Sequence, residues 1–478
     1  MSNVNDALSQ YPGSGISPLE TGNLQPLAAL FGADVERAIS LLSRFNNAVF
    51  IAEEQAEKGI ITATVNKFCH DASGQAIKEV LRIDARQFIN ISGSQPEKRL
   101  AEVVTVLGNK REKILLVITS LEEFAGDKRL VELLQDIVKK SSLPMLGMTT
   151  LDGFRQLEKI PQLAASLQFI LSEKLPQVNK RDKSVLIIGA TSLLGSAVYQ
   201  LFSREYKSVR GTGFSKAAAL GFDKLDVTSG EEIKQYFSGH SGFDVVVYIA
   251  GEADADVAEK ERERARALNV DAVSSLARYA KDCKFVYISS EYVFDGSSGP
   301  YGSDSPARPI NYYGRTKLEG EQVSLKSFPD ALVVRFGALY GYNGPGDKKT
   351  SVSKLIVSLD NPEPLKADNV QIKHPLLLED AARTLLKLLD YESSGIYQTN
   401  GPEGLNKQEM AEQIAAARNE LTGHVFSYPI TGVEQTGVAA KPLNTHMVNV
   451  DTPRPFKEGV RFMLLKQKTS KEKAVHGH

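Results

Sequence analysis

Apolar positions along this chain fall into short, strand-sized runs separated by stretches where they recur at helical spacing. In residues 23–172, Asp34-Val35-Glu36-Arg37-Ala38-Ile39-Ser40-Leu41-Leu42 has the helical period, whereas Ala48-Val49-Phe50-Ile51 and Ile114-Leu115-Leu116-Val117-Ile118-Thr119 are unbroken apolar runs. Such runs are the pattern of strands buried on both faces of a parallel sheet. Residues 144–150 read as another strand with a polar end, and 95–107 as a helix, so an α/β domain is expected here. Residues 173–183 are polar and Lys-rich and read as a linker. After it, strands expected at 184–189, 208–213, 244–250, 284–289 and 331–337 alternate with helical segments. That is the repeating βαβ signature of a Rossmann-like, doubly wound parallel sheet, here in a domain spanning 184–455 with a small second lobe. From 341 the pattern is less regular, with helices expected at 378–389 and 407–421. Residues 1–22 read as a loose tail, and 456–478 as a basic tail that is solvated and disordered rather than docked.

Composition narrows the classes. A chain of 478 residues has room for two or three domains of about 150 residues and for a core that needs no staple. Its two cysteines, Cys69 and Cys283, are far apart and have no second Cys beside them. That excludes a disulfide framework and a Cys-rich zinc site, and it fits a reducing compartment. The histidines show no metal-ligand spacing, so no metal is expected. A formal net charge of −1 argues against bulk binding to nucleic acid or anionic membrane. No apolar run approaches the about 18 residues of a membrane span, and the first residues lack the apolar core of a secretory signal. A cytoplasmic protein is expected. The neutrality is uneven: residues 456–478 carry six Lys/Arg and two Glu, so +4, and the remainder carries −5.

One stretch carries a cofactor signal. Ser184-Val185-Leu186-Ile187-Ile188-Gly189-Ala190-Thr191-Ser192-Leu193-Leu194-Gly195 passes from an apolar strand into a helix. A tight turn at Gly189 lets the backbone approach a pyrophosphate. The helix N-terminus offers free N–H groups and a positive dipole end, and Gly195 lets the helix pack closely on the sheet. The middle position of the Gly-rich turn is Ser192, which adds bulk there but brings a hydroxyl able to donate to phosphate. Gly189, Thr191, Ser192, Leu193, Leu194 and Gly195 are therefore candidate cofactor residues; the alternative is a merely structural turn. The second strand runs into Gly213-Phe214-Ser215-Lys216. An NAD site would place an Asp or Glu there for the ribose hydroxyls. Ser215 and Lys216 suit a 2′-phosphate, which favours NADP over NAD, although Lys216 also reads as a solvated surface lysine. Asp226, followed by Val227, is placed at the adenine edge.

A second set carries proton chemistry. The strand at 284–289 leads into Ser290-Glu291-Tyr292-Val293, and Tyr313 and Lys317 stand four apart on one helix face. A phenol with a pKa of about 10 is a poor acid–base group at neutral pH, and a nearby ammonium lowers that value. The pair is then able to deliver a proton to a carbonyl oxygen as hydride reaches its carbon, with Ser290 bonding the same oxygen.

With these pieces in order, residues 183–455 resemble an extended short-chain dehydrogenase/reductase. The pattern is that of dTDP-4-dehydrorhamnose reductases and of the regulatory β subunits of methionine adenosyltransferase. The matching residues are Val185 to Gly195, Gly251-Glu252 with Asp256-Val257-Ala258-Glu259, Leu268-Asn269-Val270-Asp271-Ala272, Tyr287 to Gly296, Tyr312 to Gly320, Arg335 with Leu339-Tyr340-Gly341, and Lys441-Pro442-Leu443-Asn444. The resemblance implies Ser290, Tyr313 and Lys317 as the catalytic triad and Asn269 as a helix-bending or proton-relay residue. It adds Ala250 and Gly251 to the cofactor set, along with Asn269, Tyr313 and Lys317. It places Glu252, Glu291, Tyr292, Val293 and Lys441 near a substrate. Three departures stand out: Ser192 for the middle glycine, Glu291 for an Asp, and Lys441 for an Arg that would meet a diphosphate bidentately.

Residues 23–172 resemble, in order, the first nucleotide-binding domain of Clp-type AAA+ disaggregases. Ala38 to Arg44 and Asn46 to Ile51 stand for the helix and strand before the P-loop, and Gly147 to Arg155 for the strand with the sensor threonine. The P-loop itself reads Ala52-Glu53-Glu54-Gln55-Ala56-Glu57-Lys58-Gly59, with three glutamates where an anion cradle would lie. The metal-binding Asp-Glu is replaced by Thr119-Ser120. The resemblance implies a degenerate domain without ATPase chemistry; the alternative is an unrelated α/β domain. Two functions follow. One is an NADP-dependent reductase acting on the 4-keto group of a nucleotide-linked sugar. The other is a regulatory or scaffold subunit, such as that of a methionine adenosyltransferase, with the N-terminal domain as the protein-interaction module and an oligomer compatible with either.

Overall fold

The unbroken apolar runs become the inner strands of two sheets. The computed structural model describes residues 16–18, 32–45, 47–70, 79–92, 96, 98, 100–101, 105, 114–140, 144–172, 180–344, 349–359, 365–423, 430–433 and 438–476. The chain divides into two units, Met1–Pro176 with Val448–Thr452, and Gln177–Met447 with Pro453–His478.

The first unit is built on β1 (Ile16–Pro18), β2 (Asn47–Ile51), β3 (Glu79–Asp84), β4 (Ile114–Thr119), β5 (Met145–Thr149) and β6 (Phe169–Leu171), in the order β1-β3-β4-β5-β2-β6. Its pairings are parallel except β1 with β3. Strands β2, β4 and β5 are buried along their whole length, which is why their sequences do not alternate. The helix Gly32–Phe45 lays Val35, Ala38, Leu41 and Leu42 on one face of the sheet. Residues 16–18, expected in a loose tail, form an edge strand instead. The rest of that tail, most of the helix expected at 95–107 and residues 173–179 of the linker lie outside the described residues. Segment Val448–Thr452 meets the other edge. Thr452 N–H donates to the Phe169 carbonyl, Leu171 N–H to the Asp451 carboxylate at 3.1 Å, and Asp451 pairs with Arg37 at 2.8 Å.

The second unit holds β7 (Arg181–Ile188), β8 (Tyr206–Gly213), β9 (Asp223–Lys224), β10 (Val245–Tyr248), β11 (Lys284–Ser290) and β12 (Leu332–Phe336), with β16 (Gly395–Thr399) at one edge. The order β16-β12-β11-β10-β7-β8-β9 is parallel throughout. From β9 to β12 this is the dinucleotide-binding order, in which the strand direction of travel reverses between β7 and β10. The small lobe pairs β13 (Leu339–Tyr340) with β15 (Leu376–Leu377), and β14 (Leu365–Asp368) with β17 (Ile430–Val433).

Residues 456–476, expected as a solvated tail, form a helix. Phe456, Val460 and Met463 recur at helical spacing and are buried with Met410, Ala411 and Ile414 of the helix Lys407–Thr422. The high charge of the segment masks that short apolar stripe.

Candidate functional site

The Gly-rich turn sits at the switch point between β7 and β10. Gly189 has φ +94°, and a Cβ on it would stand 2.6 Å from the Ala250 amide nitrogen. Only a glycine lets the two strand ends close this far. The helix Leu193–Glu205 starts there, and a Cβ on Gly195 would meet the Gly189 carbonyl at 2.1 Å. The Ser192 hydroxyl caps this helix by accepting from Gly195 N–H at 3.0 Å, and its own proton is left to donate. The Leu193 and Leu194 amides stand in the same first turn, where the helix supplies no acceptor. Thr191, Ala250 and Gly251 line the same edge, Ser215 and Lys216 lie exposed beyond β8, and no acidic residue stands in Gly213 to Lys216. These residues fit a dinucleotide with a phosphorylated ribose.

Other cofactor candidates have local duties. Asp226 accepts from Thr228 N–H and hydroxyl at 2.9 and 2.7 Å, and the Val227 side chain belongs to the core. Asn269 is fully buried in a π-helical turn, Ala267–Asp271. Its Oδ1 accepts from Glu252 N–H at 3.1 Å, while its Nδ2 donates to the Glu252 carbonyl at 3.2 Å and to the Thr316 hydroxyl at 2.9 Å. The side chain therefore braces the turn.

The helix Tyr312–Ser327 brings the proposed triad to the end of β11. Asn311 caps it, and Glu259 accepts from Tyr312 N–H at 2.7 Å. A Cβ on Gly314 would strike the Tyr292 carbonyl at 2.1 Å, so the helix lies directly on the turn after Ser290. The Ser290 hydroxyl accepts from Tyr292 N–H at 3.3 Å, and the Tyr292 ring meets that of Tyr313 edge-on at 5.6 Å.

The electrostatics differ from expectation. Burial pushes the Tyr313 phenol up to about 12, the Ser290 hydroxyl opposing the rise. Burial pulls the Lys317 ammonium down to about 7, with Glu321 opposing. Lys317 Nζ lies 4.1 Å from the centroid of the Tyr287 ring. The direction at Tyr313 is opposite to that of a phenol lowered by a neighbouring ammonium.

Around the triad, Glu291 is buried, and burial raises its carboxyl to about 7 against Lys373 and Thr445. Lys373 reaches it from the small lobe: burial works against its charge, but Tyr292 and Glu291 outweigh it. Glu252 is buried and accepts from Asp254 N–H at 3.0 Å. Val293, expected near a substrate, packs its side chain with Phe294, Tyr301 and Met447 and is core. Lys441 pairs with Asp256 at 3.6 Å. The Ala439 N–H, with Lys441 adding, holds the Asp256 carboxyl below its ordinary value. Sequence reasoning missed Lys373, Tyr287 and Thr445; nothing in their spacing marks them, since they converge only through the fold.

The first unit has a cavity of 270 Å³ at the C-terminal ends of its strands, lined among others by Ala52, Glu57, Ser120, Glu122 and Thr149. Glu122 is buried and accepts from the Thr149 hydroxyl at 2.7 Å. The helix Glu54–His70 starts two residues after β2, so Lys58 lies inside it and only Ala52-Glu53 form the connection. No helix among the described residues is long and apolar enough to cross a membrane.

Comparison with known proteins bears on the second unit. The family model of the RmlD substrate binding domain matches residues 183–463. Methionine adenosyltransferase 2 subunit beta of Xenopus tropicalis is 34% identical over 303 residues, covering 59% of this chain and 87% of that protein. A probable low-salt glycan biosynthesis reductase of Haloferax volcanii is 29% identical over 48% of this chain and 78% of its own. The solved dTDP-4-dehydrorhamnose reductase of Bacillus anthracis, in complex with NADP, shares the fold with a TM-score of 0.52 at 24% identity, covering 60% of this chain and 99% of that one. The chain belongs to the RmlD substrate-binding domain family.

Proposed function

We propose that the second unit is an NADP-dependent reductase centre acting on the 4-keto group of a nucleotide-linked sugar. The observation that carries this reading is the packing of the Tyr312–Ser327 helix, with Tyr313 and Lys317, on the turn after Ser290 at the end of β11, beside the β7–β10 switch point. NADPH, when bound, supplies the hydride. Gly189, Thr191, Ser192 and the amides of Leu193 and Leu194 hold its diphosphate, and Ser215 and Lys216 its 2′-phosphate. Ser290 orients the substrate carbonyl. Tyr313 gives its proton to the carbonyl oxygen as the C–H bond forms, and the C=O π pair moves to that oxygen. Lys317, near neutrality, restores the proton balance of the phenol. Glu252, Glu291 and Tyr292 face the sugar side.

One observation favours a second reading. Lys441, where a diphosphate-binding Arg would stand, is committed to Asp256. On that reading the unit binds NADP as a regulatory or scaffold subunit, such as that of a methionine adenosyltransferase. The first unit is then a degenerate AAA+-like interaction module that binds no ATP. The two-residue connection after β2 and the glutamates of its cavity support that view of the first unit. In either case the protein works in the cytoplasm.

Calorimetric titration of the full chain with NADPH and NADH tests the cofactor site; binding of neither would overturn both readings of it. Oxidation of NADPH with a keto-sugar, lost in Tyr313→Phe, supports the reductase. Binding without turnover across a keto-sugar panel supports the subunit. Micromolar ATP affinity would overturn the relic reading of the first unit.

A further inference from the structure

Tyr287 lies on β11, three residues before Ser290, with its ring fully buried. The ring is fixed by several contacts. Its hydroxyl donates to the Asn269 carbonyl in the π turn at 2.9 Å. It stacks on Tyr248 of neighbouring β10, with centroids 6.2 Å apart and planes 7° from parallel. Tyr248 in turn donates to the Leu268 carbonyl at 2.6 Å, so both tyrosines hold the same π turn. Gly320 makes room for this stack, since a Cβ there would stand 2.1 Å from the Tyr287 hydroxyl oxygen. On this ring rests Lys317, its Nζ 4.1 Å from the centroid.

A buried ammonium needs a local source of negative potential to stay charged. The face of an aromatic ring supplies one, and its effect is larger where solvent is excluded. The other charged group bearing on Lys317 is Glu321, one turn along the same helix and itself tied to Arg335 on β12.

We propose that Tyr287 is a positioning residue whose ring seats the Lys317 ammonium, and that its hydroxyl fixes this seat to the π turn at Asn269. Removing the π face then disfavours the charged form of Lys317, whereas removing the hydroxyl alone leaves the face in place. The inference rests on Lys317 belonging to the proposed centre, but its test needs no turnover.

The test is the ionisation of Lys317 in the full chain, followed by NMR with ¹³C-labelled lysine and assigned with Lys317→Arg. Tyr287→Phe is expected to titrate as the unaltered protein does. Tyr287→Leu is expected to lower the midpoint by about one pH unit. Where the leucine variant does not fold, fluorinated phenylalanines at 287 keep the shape and weaken the face, and the midpoint is expected to fall with each added fluorine. An unmoved midpoint in the leucine or fluorinated proteins would overturn the proposal, as would a phenylalanine variant that shifts as far as leucine. Failure to reduce any keto-sugar would overturn the reductase reading and leave the Tyr287 result standing.

Discussion

Replacing Arg335 by methionine weighs the buried charge pair beneath the proposed site. The guanidinium donates to both Glu321 oxygens, at 2.8 and 2.7 Å, and to the Ser303 carbonyl at 3.0 Å. Arg335 and Glu321 are 2% and 1% exposed, so neither side chain has water as a substitute partner. Methionine fills part of the volume but removes every one of those donors, leaving Glu321 with the Ser289 hydroxyl. Removing one partner of such a pair costs about 3–5 kcal/mol, because a charge is left buried and uncompensated. Removing both charges together leaves no such orphan, so Glu321→Leu with Arg335→Met is expected to stay within about 1–2 kcal/mol of the parent. With both single variants at that cost, the cycle of four proteins gives a coupling of about 4–9 kcal/mol. Urea unfolding, with hydrogen exchange of the β11 and β12 amides to localise the effect, measures it. A single variant that loses less than about 1 kcal/mol, or a double variant as unstable as the single, would refute the reasoning.

Three further outcomes follow from the same geometry. Glu291 stands at about 7 when folded, above the ordinary carboxylate value, so its contribution is present at low pH and lost as pH rises from about 4.5 through 7. Glu291→Gln is therefore expected to flatten the stability curve over that window and to exceed the parent above it, read as urea midpoints at pH 5 and 8. His374 is held down to about 3 by burial, so its contribution is present above about pH 6.5 and lost as pH falls towards 3; replacing it with glutamine should remove that acid-side decline. Asp451→Ala strips a partner from Arg37 and from Leu171 N–H and is expected to cost about 1.5–3 kcal/mol, seen as faster exchange at β6.

Legibility followed the range of the interactions. Strands β4 and β11 were readable because a run buried on both faces leaves a continuous apolar signature. The edge strand β16 was not read, since Gly395 to Thr399 is short and only partly apolar. The dinucleotide turn was readable because its geometry is local and needs glycines at fixed offsets. Tyr313 and Lys317 were placed on one helix face correctly, yet the environment of each was not legible. Their surroundings come from Tyr287 on β11, Tyr292 on the next turn and Lys373 in the small lobe, none fixed by spacing. The burial of the Val293 side chain was not legible either, since it packs on Phe294, Tyr301 and Met447 through the fold. The C-terminal helix misled because its three-residue apolar stripe is hidden in a charged segment.

Segment Val448–Thr452 also bears on how the protein is made. A chain leaving the ribosome folds its N-terminal parts first. Here the first unit includes residues that follow Gln177–Met447 in the chain, and strand β6 waits for Asp451 and Thr452 to meet its amide and carbonyl. During synthesis that edge stays open to other strands while residues Gln177–Met447 of the second unit are being made. The first unit is therefore completed only after most of the second has been made.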